Sequence, residues 1–402
     1  MFRLAAALTY RDFRLLWFGA LGSSIGTWMQ KVAQAWLIVT LTGSASAFFL
    51  GLDSFLGELP ILLFTLIGGV VADRQDRRQL LLMSQCVQMG AAFILAGLVY
   101  ADAVHIALIL LLSFLTGLAQ AFGGPAYQSL IPSLIHKEHL PNAVALNSIQ
   151  FNLARVIGPL AAGAALTAFG MVACFGLNGL SFLFVMGAIL ALRVKHVPPA
   201  TRHRMLDEMK GGLRYVRDEP MLVSLTVIGF IAAFLGIPLL TFLPIVVKDV
   251  FQQDVGLYTV MMTYSGAGAV AGALGVAWLG KSRHMGRVLL GVLLAFGVTL
   301  VVFSLTRTLW LSELLLFLAG ALLVTSFSLT TSLVQLIAPN ELRGRVMSIY
   351  MVAFRGAAPL GNFMSGNLIT IASAPLVIGL NGVLLVAATL YFILRGHGIK
   401  EI

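Results

Sequence analysis

Apolar runs of about twenty residues or more recur along the whole chain, and almost every charged residue is confined to the short gaps between them. A run of that length is what a helix needs to cross the roughly 30 Å hydrocarbon core of a bilayer. Only 10% of the 402 residues are charged and 59% are apolar, whereas a soluble domain carries about 25% charged residues to keep its surface wet. A soluble globular enzyme is therefore excluded. The 41 glycines and 13 prolines fit membrane helices, which tolerate both. Cys86 and Cys174 lie deep in apolar runs, so neither a disulfide framework nor a thiolate metal site is indicated, and no metal is expected.

Walking the chain gives spans at 13–41, 47–72, 79–101, 105–131, 142–169, 171–193, 221–247, 256–280, 286–305, 309–336, 344–372 and 374–395. The expected fold is an all-α polytopic membrane protein with twelve transmembrane helices in two six-helix pseudo-repeats. Residues 1–193 form the first bundle, 194–220 a cytoplasmic linker and 221–402 the second bundle. In the linker Leu206, Met209, Leu213 and Val216 recur at helical spacing opposite charged positions. It reads as an amphipathic helix on the membrane surface, or as a merely solvated connection. The first apolar run is too long for a cleavable signal and lacks a following cleavage site, so it is expected to stay in the mature protein.

The net charge of +10 does not indicate nucleic acid, because a nucleic-acid binder gathers its cations on one soluble face. Here they punctuate the spans. With the N-terminus inside, 21 Lys and Arg fall on the cytoplasmic side, only Lys248 and Arg307 on the other, and Lys31, Arg155 and Arg355 within spans. Such a bias orients membrane proteins. Both termini are expected in the cytoplasm and the chain in a bacterial inner membrane, acting as a monomer.

The halves also match at a spacing near 200 residues. Arg155, Pro159 and Leu160 in the fifth span correspond to Arg355, Pro359 and Leu360 in the eleventh, and Phe114 and Gly117 to Phe317 and Gly320. Six-plus-six parallel repeats of this kind place a substrate site near the midplane between the halves.

The loop after the second span carries Gly69, Asp73, Arg74, Arg77 and Arg78 in a Gly-x-x-x-Asp-Arg-x-x-Arg-Arg pattern. It resembles the signature loop of the major facilitator superfamily, with Asp76 where that family usually has a second glycine. The resemblance implies that Asp73 caps the start of the eleventh span when the cytoplasmic side is closed, and that the loop is a conformational gate. A carboxylate suits a helix N-terminus, where backbone N–H groups lack partners. The equivalent second-half loop, Lys281 to Arg287, keeps basic charge but no Asp. In the fifth span Gly158, Pro159 and Gly163 are similar to part of the antiporter motif of drug exporters, which implies tight helix packing or a hinge there, with Pro359 at the matching second-half position. Much of the first half, including Leu41 to Ser44, looks like the branch that holds enterobactin and macrolide exporters.

Two polar stripes mark a candidate translocation path. Thr27, Gln30, Lys31 and Gln34 share a face of the first span beside Trp28, and Ser148, Asn152, Arg155 and Pro159 share a face of the fifth. Polar side chains at this depth face protein or a water-filled cavity; alternatively they act as glue between helices. A central arginine costs roughly 2.5–3.5 kcal/mol on insertion scales, which favours a functional reading of Arg155. Lys31 lies about 16 Å from the outer end of its helix at 1.5 Å per residue, so it needs a partner. Glu58 in the second span sits at a comparable depth, and a Lys31–Glu58 pair is the favoured reading, whether structural or functional. Asp53, five residues away, points roughly 140° elsewhere. Glu313 in the tenth span is a further carboxylate.

No ATP-binding loop, metalloprotease helix or serine-nucleophile elbow is present. The expected function is thus secondary active export by alternating access, not enzymatic, with a proton gradient as energy source and no cofactor. The substrate would be a small amphipathic molecule, and the partners that molecule and the lipid bilayer. Substrate-site candidates are Gln30, Lys31, Gln34, Asn152, Arg155 and Arg355; proton-coupling candidates are Glu58, Asp53 and Glu313. Cationic cargo would favour the carboxylates, whereas the three intramembrane cations favour anionic or amphipathic cargo. A lipid-like mover or importer of the same fold, a membrane sensor or scaffold, and a membrane-embedded enzyme are the competing readings.

Overall fold

In the computed structural model residues 6–193, 214–280, 284–339 and 342–395 are described, Asp73 by its backbone alone. Of the surface helix expected in the linker only the end is described, helical over 214–218 with Val216 buried. The rest of it, the loop cations Lys281 and Arg283 and the Asp73 side chain lie outside the described residues. All elements are helical: α1 (Arg11–Thr42), α2 (Ser46–Arg74), α3 (Arg77–Tyr100), α4 (Ile106–Leu130), α5 (Leu140–Leu190), α6 (Pro220–Gly236), α7 (Val255–Leu279), α8 (Met285–Leu305), α9 (Leu309–Ile337), α10 (Arg343–Ile371) and α11 (Ala374–Arg395).

Nine stretches among the described residues are long and apolar enough to cross a membrane. Two of these are double. The 62-residue run Arg11–Ala72 breaks at Gly43, and the 54-residue run Lys137–Leu190 breaks at Gly170. Both glycines have positive φ, 53° and 79°, a conformation that side-chain-bearing residues avoid. The chain after α6 turns through Pro238 and Pro244 into a π-helical turn at Val246–Val250. The more polar α10, with Arg343, Arg345 and Arg355, is not among the nine.

The helices pack as two compact units. One comprises Met1–Gly43, Asp53–Ala200 and Val255–Thr263; the other comprises Ser44–Leu52, Thr201–Asp254 and Tyr264–Ile402.

In the first unit α1 lies along both legs of α5. Trp17 donates its indole N–H to the Leu146 carbonyl at 2.9 Å, and Gln150 donates to the Ala20 carbonyl at 3.1 Å and the Ser24 hydroxyl at 2.7 Å. Small residues allow this approach, as expected where lipid supplies no hydrophobic drive between helices. Gly158 leaves no room for a Cβ against Trp28, and Gly163 meets Thr259. The carbonyls ending the second leg of α5 are taken by cations: Arg11 donates to Ala191, and Arg78 to Leu190 and Leu192. Helix C-termini favour such partners.

In the second unit α8 packs on α11 through Gly297 and Gly382, each of which has the other's carbonyl within 3 Å of where a Cβ would stand. The repeat seen in sequence has a packing counterpart. Gly117 of α4 lies directly on the backbone of Gly57 in α2, and its match Gly320 of α9 lies directly on the backbone of Ser265 in α7.

Candidate functional site

The Gly57–Gly117 crossing positions the polar cluster of the first unit. One turn earlier on each helix stand Asp53 and Ser113, so backbone contact at the glycines brings carboxylate and hydroxyl together. Ser113 donates to Asp53 Oδ1 at 2.5 Å. From α1, the Gln34 amide donates to Asp53 Oδ1 and Oδ2 at 3.0 and 3.1 Å and to the Ser113 hydroxyl at 2.9 Å. The short turn at Gly43 reverses the chain and sets Gln34 opposite Asp53 at matching depth.

This arrangement can hold a proton and let it go. An ionised carboxylate accepts from both Gln34 and Ser113. A protonated one has its own O–H to give, and a hydroxyl can rotate from donor to acceptor. Lys31, one turn from Gln34 on the same face, acts electrostatically on the carboxylate.

Lys31 does not pair with Glu58: among the described residues no ion pair joins them. Similar depth does not make a pair; rotation about the helix decides. Because Gln34 and Lys31 share the face of α1 that meets Asp53, the residue roughly 140° around α2 is turned away from them. Lys31 instead lies over the Trp28 ring, its Nζ 5.2 Å from the ring centre. Arg155 of α5 lies over the same ring, with Cζ 5.8 Å from the centre. Phe151 meets Trp28 edge-on at 6.1 Å.

The remaining stripe residues separate. Gln30 accepts from Asn178 at 2.6 Å, joining α1 to the second leg of α5. Thr27, Ser148 and Asn152 donate to carbonyls one turn back on their own helices. Glu58 is half-buried in α2. Arg355 is exposed on α10 and Glu313 half-buried on α9, both in the second unit, with Pro359 buried one turn beyond Arg355. Pro159 is buried inside α5.

The signature loop is organised within the first unit. Asp76 caps α3, its side chain accepting from the Arg78 N–H at 2.8 Å. Arg77 donates to the carbonyls of Ala72 and Ser129, tying the end of α2 to the end of α4. Gly69 has open space where a Cβ would stand, and Arg74 is exposed at the last turn of α2.

Sequence reading missed Ser113 and Asn178. Each is an isolated polar residue inside an apolar run, which is the one signal that would have singled them out.

The family model described as "transmembrane secretion effector" matches residues 4–397. The chain belongs to that family. It is a major facilitator transporter that resembles drug and siderophore exporters, a multi-pass membrane protein and not an enzyme. It is 27% identical over 366 residues to the multidrug efflux pump Tap of Mycolicibacterium fortuitum, covering 88% of each chain. It is 25% identical over 373 residues to the enterobactin exporter EntS of Citrobacter koseri, covering 90% of this chain and 84% of that one. A solved D-xylose–proton symporter shares the fold, with TM-score 0.74 at 14% identity over 95% of this chain and 97% of that one. As a member of this family the chain carries a small-molecule substrate across a lipid bilayer.

The two halves of this transporter are chemically unequal. The first span of the first half carries Trp28, Gln30, Lys31 and Gln34, whereas α6, the first span of the second half, holds no charged residue, Asn or Gln within Pro220–Gly236. Its Phe230 and Phe234 stack on each other at 5.7 Å. The fold is repeated but the polar cluster is not.

Proposed function

We propose that this chain is a proton-coupled exporter of a small amphipathic molecule, working by alternating access as a monomer in a bacterial inner membrane with both termini cytoplasmic. No cofactor is needed; the proton gradient drives the cycle. The observation that carries the proposal is the Asp53 carboxylate, set inside an apolar span yet surrounded by Gln34, Ser113 and Lys31. A carboxylate at that depth is expensive unless it has work to do. The cluster accommodates both protonation states, which is what a coupling site needs. In this reading Asp53 is the coupling carboxylate, with Glu58 and Glu313 secondary.

Outward transport is supported by relatives named as an efflux pump and a siderophore exporter. The fold alone is neutral on direction, since a symporter shares it. Lys31 and Arg155 are the substrate-site candidates of the first unit, and Arg355 is a separate candidate on the second.

The test is efflux from cells preloaded with a panel of fluorescent amphipathic compounds. Cells making the wild-type chain should extrude at least one compound faster than cells making Asp53→Asn, and a protonophore should abolish the difference. Equal efflux from both across the panel would reject the proposal.

A further inference from the structure

We propose that Trp28, Lys31 and Arg155 form a binding site for the anionic group, a carboxylate or phenolate, of an organic molecule. This inference rests on the transport reading above and names its substrate class.

Lys31 Nζ and Arg155 Cζ stand 5.2 and 5.8 Å from the centre of one indole ring, reached from two different helices. Among the described residues neither makes a hydrogen bond or an ion pair. A ring face attracts a cation but accepts none of its N–H bonds in the ordinary way. Both side chains therefore keep their donors, the planar fork of arginine included, for an acceptor that the protein does not provide. The nearby carboxylate is committed, because Asp53 is held by Gln34 and Ser113.

Lys31, which is exposed, and Arg155, which is half-buried, carry like charges around one ring and repel each other. An anion placed against them removes that repulsion and supplies the missing acceptor. The surroundings select an organic anion. Phe151, exposed and set edge-on against Trp28, offers an apolar wall beside the charges. The first span of the second half, α6, has neither a tryptophan nor a charged residue. The site is thus single and belongs to the first unit.

The test uses the full chain in nanodiscs of neutral phosphatidylcholine with three matched probes: naphthoate, naphthamide and naphthylmethylammonium. Naphthoate should bind at least about tenfold more tightly than the other two, a difference of ~1.4 kcal/mol. Lys31→Gln and Arg155→Gln should each weaken naphthoate about tenfold and reduce its preference over naphthamide, and Arg155→Lys should recover part of the loss. A wild-type melting temperature and elution volume show that each variant is folded. Equal binding of the three probes, no naphthoate binding in the millimolar range, or an Arg155→Gln chain that binds naphthoate normally would overturn the site. Charge-selective binding without any gradient-driven transport would support the site and reject the transport reading. Transport of neutral compounds without charge-selective binding would do the reverse.

Discussion

Gln34 of α1 donates its side-chain amide to both oxygens of the Asp53 carboxylate of α2, at 3.0 and 3.1 Å. That bidentate contact joins the first helical hairpin at one depth and leaves the Ser113 hydroxyl to complete the cluster from α4. The chemistry assigned to this transporter depends on helices being close enough for three short side chains to meet.

That closeness depends on Gly117, whose missing Cβ lets α4 rest on the backbone of Gly57. Gly117→Ala should therefore separate the helices, cost about 1–3 kcal/mol by overpacking and lower the melting temperature of the detergent-solubilised protein. Gly97→Ala, on a surface with open space, is the control and should leave it unchanged. Equal melting of the two variants would show that the crossing does not limit stability.

The loop between α2 and α3 offers a second test. Asp76 stands where the superfamily usually has glycine, yet its side chain caps α3 through the Arg78 N–H. Asp76→Ala should cost roughly 1 kcal/mol, whereas Asp76→Gly should cost only a few tenths. Chemical denaturation of the two variants resolves the difference. A loss of only a few tenths for Asp76→Ala would mean that the cap contributes little.

Much of this was legible in the sequence. The stretches that cross the membrane and the Gly117–Gly320 correspondence follow from run length and spacing, because the hydrocarbon layer allows so few structures. The partner of Lys31 was not legible. Rise per residue points to Glu58, but rotation about α1 and α2 is fixed by packing, which sets Gln34 against Asp53 and leaves Lys31 over Trp28. Ser113 escaped notice for a related reason: a lone hydroxyl in an apolar run gains meaning only when α2 is seen against α4. On α5 the sequence gives the stripe but not the partners: Ser148 and Asn152 bond to carbonyls of their own helix.

Orientation is tested by labelling. In a chain with Cys86 and Cys174 replaced by serine, single cysteines at Asp102 and Asp254 should react with a membrane-impermeant reagent in intact cells, and one at Glu138 only after permeabilisation. All three positions are exposed. Labelling of position 138 in intact cells would invert the topology inferred from the charge bias.

The most direct test of the central claim compares two kinds of transport by Asp53→Asn in proteoliposomes, using a compound that the wild-type chain exports. Asparagine keeps the size and accepts from Gln34 and Ser113 but cannot take up and release the proton. The account predicts that exchange of labelled for unlabelled compound proceeds near the wild-type rate while accumulation driven by a pH gradient falls at least about tenfold. Glu58→Gln should keep both. Full gradient-driven accumulation by Asp53→Asn would contradict the account.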